Sequence, residues 1–160
     1  MLNVKKDILE KSLEVNFYSH HNIVQKIANI MVSQGFGGSI SLNLSKQSIN
    51  PGKNFGPYGI AKASSLFSMK QYALEFGKYN IRVNGINADR IKSGLLTDQF
   101  IKERAKARNM SSTKYLNNNL LQKQVTAEDV AEAFFAQLSF EKTTGNIITV
   151  DGGNIEASLR

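Results

Sequence analysis

Cysteine is absent from this 160-residue chain, which removes disulfides and thiolate metal ligation from consideration. No stretch approaches the roughly 20 apolar residues needed to span a bilayer. The opening MLNVKKDILEKSLEVN also lacks an apolar signal core. These absences predict a soluble chain in a reducing, cytoplasmic compartment, with no membrane partner. Zinc-ligand spacings and aromatic-interleaved basic motifs are missing too, so no recognisable nucleic-acid module stands behind the net charge of +7. The charge is concentrated: between Asp89 and Gln124 eight basic residues face three acidic ones, leaving +5 of the +7 there. A segment of this kind fits a solvated face, an anion-handling lid or a nucleic-acid surface.

What is present is ordinary globular composition, 41% hydrophobic and 21% charged, on a length suited to one domain covering 1–160. From about Lys5 to Ser33 the pattern is helical, with Ile23, Ile27, Ile30 and Met31 on one face and Gly35, Gly37 and Gly38 ending it. Residues 38–44 alternate as a strand, with Ile40, Leu42 and Leu44 on one side. A loop rich in Asn, Gly and Ser follows. Pro57 then opens a helix to about Tyr79 that is apolar on more than one side. Ile81–Ala88 reads as a second strand. Thr126-Ala-Glu-Asp129 has the form of a capping box, opening a helix with Val130, Phe134 and Leu138 inward. Ile147–Val150 makes a last strand. Helices alternating with strands predict an α/β fold with a parallel sheet.

Within this frame three residues stand at suggestive spacing: Ser45, Tyr58 and Lys62. Tyr58 and Lys62 are four apart, so a helix brings them to one face. Ser45 leaves the end of a predicted strand, where ligand sites of open α/β sheets gather. Each residue also has a plain reading. A tyrosine four before a lysine is common, and Ser45 fits a loop or cap serine. Asn16 fits a helix-surface asparagine, and His20 and His21 fit surface or packing roles.

Taken together, the motifs resemble the C-terminal part of a short-chain dehydrogenase/reductase. They are Gly37-Gly-Ser-Ile-Ser-Leu-Asn-Leu-Ser45, Tyr58-Gly-Ile-Ala-Lys62-Ala, Ile81-Arg-Val-Asn84 and Val150-Asp-Gly-Gly153, with Val15-Asn16-Phe17 at the place of the family's active-site asparagine. The resemblance implies a Rossmann-like doubly wound parallel sheet. It also implies hydride exchange between NAD or NADP, with NAD favoured, and a small alcohol or aldehyde. Tyr58 would be the general base in oxidation and the acid in reduction. A phenol ordinarily has a pKa near 10, and a neighbouring ammonium favours its ionised form. Lys62 would also hold the nicotinamide ribose, Ser45 would orient the substrate oxygen, and Asn16 would fix a relay water. Ser93 would lie near the nicotinamide amide.

Two departures sharpen the expectation. Asn87-Ala-Asp-Arg90 stands where the family usually has Pro-Gly. With Phe55-Gly-Pro-Tyr58, Asn87–Ile91, Val125–Glu132 and Lys142-Thr-Thr-Gly145, it resembles dehydrogenase domains fused behind a class II aldolase in rhamnose breakdown. That implies a substrate such as lactaldehyde. Nothing before Asn16 supplies a strand and Gly-rich turn for the cofactor's pyrophosphate. The expectation is therefore a catalytic half without its nucleotide-binding half, completed by an N-terminal half or associating as a homo-oligomer through its open strand edge. The rival expectations are a non-catalytic association module and a basic nucleic-acid-binding domain.

Overall fold

The computed structural model describes residues 1–94 and 96–154. The expected unit 1–160 thus includes residues 95 and 155–160, which lie outside the described residues. Helix α1 (Lys6–Leu13) passes through a π-helical turn at Glu14–Tyr18 into α2 (Ser19–Gln34). Strand β1 (Gly38–Asn43) and a short 3₁₀ turn lead to α3 (Gly56–Phe76) and then to strand β2 (Ile81–Ala88). The basic segment forms α4 (Asp98–Lys106) and α5 (Ser112–Leu116), followed by α6 (Ala127–Leu138) and strand β3 (Ile147–Val150). The strands pair in parallel in the order β1-β2-β3, as the alternating pattern predicts.

Local chemistry explains the boundaries. Gly35 ends α2 at φ 77°, in the left-handed region that glycine adopts without a Cβ penalty. A Cβ on Gly37 would lie 2.4 Å from the Asn80 carbonyl oxygen, so these glycines make a tight structural turn before β1. Pro57 sits in the first turn of α3, where its missing N–H has no partner to lose. The Thr126–Asp129 capping box is fully formed at the start of α6.

Alternation along β1 divides the layers. Leu42 and Leu44 face α3, sharing a core with Met69, Ala73, Ile81 and Val83. Ser41, on the opposite face, hydrogen-bonds the Gln137 side chain of α6. The sheet therefore carries helices on both faces, and central β2 is buried along most of its length. The basic segment has a small core of its own, Ile101, Ala105 and Tyr115.

One face assignment is corrected. Leu138, expected inward, is exposed, and α6 buries Gln137 instead. On α2 the face shared by Ile23, Ile27 and Ile30 is exposed, and Val24 and Ala28 are the buried residues. Gln137 enters the interior because it has partners there: its amide also donates to the Gly85 carbonyl at 3.2 Å. No helix among the described residues is long and apolar enough to cross a membrane.

Candidate active site

The carboxyl ends of the strands open into a cleft of about 470 Å³. Asn43 and Ser45 follow from β1, Ala88 and Asp89 from β2, and Asn154 from the tail of β3. Parallel strands end on one side of a sheet, so the loops that leave them converge there. Tyr58, in the opening turn of α3, completes this wall.

Ser45 is half-buried and caps the 3₁₀ turn behind it, its Oγ accepting the Gln47 N–H at 3.2 Å. Tyr58 lines the same cleft, and its hydroxyl has no hydrogen-bond partner among the described residues. Lys62, one helical turn further, is buried, with Nζ 5.8 Å from the Tyr58 ring centroid. It donates to the Asn43 carbonyl oxygen at 2.9 Å. Burial holds the Lys62 pKa below the ordinary lysine value, because desolvation disfavours the ammonium.

Ser93 also lines the cleft, its Oγ accepting the Leu96 N–H at 3.2 Å. Asn16 is not among the residues that line the cleft. Its Nδ2 donates to the Ser12 carbonyl oxygen at 3.1 Å, within its own helix. Its carbonyl oxygen lies inside the π-helical turn and accepts the Ser65 hydroxyl of α3 at 2.7 Å. Ser45, Tyr58 and Ser93 thus line one cleft, with buried Lys62 one helical turn from Tyr58, while Asn16 is bonded to Ser65 of α3.

Three features were not singled out as site residues from the sequence. Lys46, adjacent to Ser45, is 6% exposed and donates to Asp151 Oδ2 at 2.8 Å. Burial opposes ionisation of Asp151, but Lys46 and the Gly153 N–H outweigh it and hold the carboxyl below its ordinary value. This pair ties the loop after β1 to the loop after β3. His20 is half-buried near Lys62: burial first, then the Lys62 charge, lowers its pKa against a hydrogen bond to the Asn16 backbone. Arg104 of α4 and Arg108, just past the end of that helix, line the cleft beyond Phe55. Their place in a segment already marked as basic is the signal that could have found them.

A family model described as Enoyl-(Acyl carrier protein) reductase matches residues 1–154. The chain belongs to the short-chain dehydrogenase/reductase family. An uncharacterised oxidoreductase, YuxG of Bacillus subtilis, is 37% identical over 131 residues, covering 77% of this chain and 19% of the relative. The NADH enoyl-[acyl-carrier-protein] reductase FabI of Buchnera aphidicola from Baizongia pistaciae is 36% identical over 151 residues, covering 91% and 54%. Sorbitol-6-phosphate 2-dehydrogenase SrlD of Erwinia amylovora superposes with a TM-score of 0.87 at 20% identity, over 96% of this chain and 62% of that one. At that identity the superposition speaks for the fold alone. The chain spans less than two thirds of the length of these family members.

The residues present fit a nicotinamide ribose. Lys62 carries three N–H donors and spends one on Asn43. Two donors remain beside Tyr58 for ribose hydroxyls.

Proposed function

We propose that this chain is the catalytic half of one oxidoreductase domain, exchanging hydride between NAD(H) or NADP(H) and a small alcohol or aldehyde. The observation that carries the reading is the buried Lys62 ammonium, 5.8 Å from the Tyr58 ring, at a strand-end cleft that also holds Ser45. The nicotinamide, when bound, accepts or returns the hydride. In oxidation Tyr58 takes the alcohol proton at its phenol oxygen, and in reduction it gives that proton back. Lys62 stabilises the negative charge that develops on the phenol as its proton leaves, and it holds the ribose. Ser45 orients the substrate oxygen, and Ser93 meets the carboxamide side of the ring. Asn16 feeds a water relay, a role that rests on the family resemblance.

NAD is favoured, a preference supported by the NADH-dependent relative. Resemblance to aldolase-fused dehydrogenases supports a hydroxy-aldehyde of the lactaldehyde kind, arising in sugar breakdown. The reading also requires a segment that receives the dinucleotide's phosphates, in the same polypeptide or another. The second reading, a non-catalytic association module, is favoured by the apolar stripes left outside on α2 and α3.

Nicotinamide mononucleotide tests the proposal without that segment. Its titration should perturb the NMR signals of Ser45, Tyr58 and Ser93, and Lys62→Met should abolish the effect. Perturbations confined to other surfaces, or unchanged in Lys62→Met, would contradict it.

A further inference from the structure

Two guanidinium groups stand in the cleft without a carboxylate partner among the described residues. Arg104 is held in place: its guanidinium carbon lies 4.2 Å from the Phe55 ring centroid and 5.3 Å from that of Phe100. Its Nη1 donates to the Lys53 carbonyl oxygen at 3.0 Å, while its Nε is buried with no hydrogen-bond partner among the described residues. Arg108, one turn on and exposed, lies 5.5 Å from the Tyr115 ring and donates to the Arg104 carbonyl oxygen at 3.3 Å. Among the described residues the one acid lining the cleft, Asp89, meets Arg90 at 3.6 Å and accepts from the Asn154 amide.

Both side chains line the same cleft and neither meets a carboxylate among the described residues, so their like charges stand uncompensated there. One ligand type compensates both, an oxyanion whose oxygens bridge the cleft-facing nitrogens of the two guanidiniums. The cradle lies within small-molecule reach of the proton-transfer site. The Phe55 ring separates the two, with its centroid 6.0 Å from that of Tyr58 and 4.2 Å from the Arg104 guanidinium.

We infer that the substrate is an alcohol or carbonyl compound bearing a carboxylate or phosphate, seated with its anion on Arg104 and Arg108 and its reacting oxygen at Ser45 and Tyr58. This rests on the oxidoreductase reading of the cleft. Among the compounds that reading covers, a neutral hydroxy-aldehyde leaves both guanidiniums unmatched.

Equilibrium binding to the full chain at low salt tests the inference, with pairs that differ at the anion: lactate against 1,2-propanediol, and glycerol 3-phosphate against glycerol. The anionic member should bind about tenfold tighter or better, the effect of one charge-assisted hydrogen bond. Arg108→Gln, at an exposed position that spares the fold, should remove a large part of this preference. Arg104→Gln/Arg108→Gln should erase it. Equal affinity within each pair, or a preference untouched by either variant, overturns the inference. So does a result in which the variants weaken ADP-ribose but leave the pairs unchanged, since the cradle would then serve the cofactor's phosphates. The measurement needs no hydride transfer. A chain that discriminates within pairs but never turns over, even when joined by a segment that receives the dinucleotide's phosphates, keeps the anion cradle and counts against the oxidoreductase reading. Turnover without discrimination does the reverse.

Discussion

Lys62 shows how a single residue joins stability to chemistry. Its ammonium is buried beside Tyr58, so folding carries a desolvation penalty that the unfolded chain escapes. Because its folded pKa is depressed, the unfolded state binds the extra proton between that value and the ordinary lysine value of about 10.4. Stability should therefore rise with pH through that window. Urea unfolding at a series of pH values should show the rise in wild type and its loss in Lys62→Met, and identical slopes would contradict this. Ser65 makes a smaller prediction. Its hydroxyl is bonded to the Asn16 carbonyl, so Ser65→Ala should cost about 1 kcal/mol in the same assay. The spacing of Tyr58 and Lys62 was legible in the sequence because a helix has a fixed period. The π-helical turn that holds Asn16 was not, because it leaves no marker in the local composition.

At the scale of elements, the Lys46–Asp151 pair does what no single segment does: it fastens the ends of β1 and β3 around the site. Asp151→Asn should be severe, about 3–5 kcal/mol, since it leaves the Lys46 charge buried and unpaired. Replacing both by apolar residues should cost far less, and a double-mutant cycle by denaturation measures the difference. The folded pKa of Asp151 is depressed, so its contribution is complete above the ordinary aspartate value of about 3.9 and is lost as pH falls through the folded value. The strands Ile81–Ala88 and Ile147–Val150 emerged at their observed limits because turn residues bound them, Asn80 before the first, Gly145 and Gly152 around the second. The inward face of α6 did not. Phe135 and Leu138 are more apolar than Gln137, and only the partners Ser41 and Gly85, distant in sequence, explain why the glutamine is inside.

For the molecule as a whole, the outer surface matters as much as the cleft. Ile60, Phe67 and Leu74 recur at intervals of seven along α3 and are all exposed, Phe67 by 70% and Leu74 by 77%. Ile23, Ile27 and Ile30 add an exposed stripe on α2, and β1 ends the described sheet on one side. Surfaces of this kind favour association. Light scattering should find species larger than the monomer, and Phe67→Glu should shift them smaller; a monodisperse wild-type monomer would contradict this. The central claim, that Tyr58 moves the proton in a hydride exchange, is tested most directly by turnover once a segment receiving the dinucleotide's phosphates is present. Nicotinamide absorbance should report oxidation of a small alcohol by the wild-type assembly, and Tyr58→Phe, which keeps the ring and removes only the hydroxyl, should slow it about 100-fold or more. Turnover by Tyr58→Phe at the wild-type rate would contradict the account.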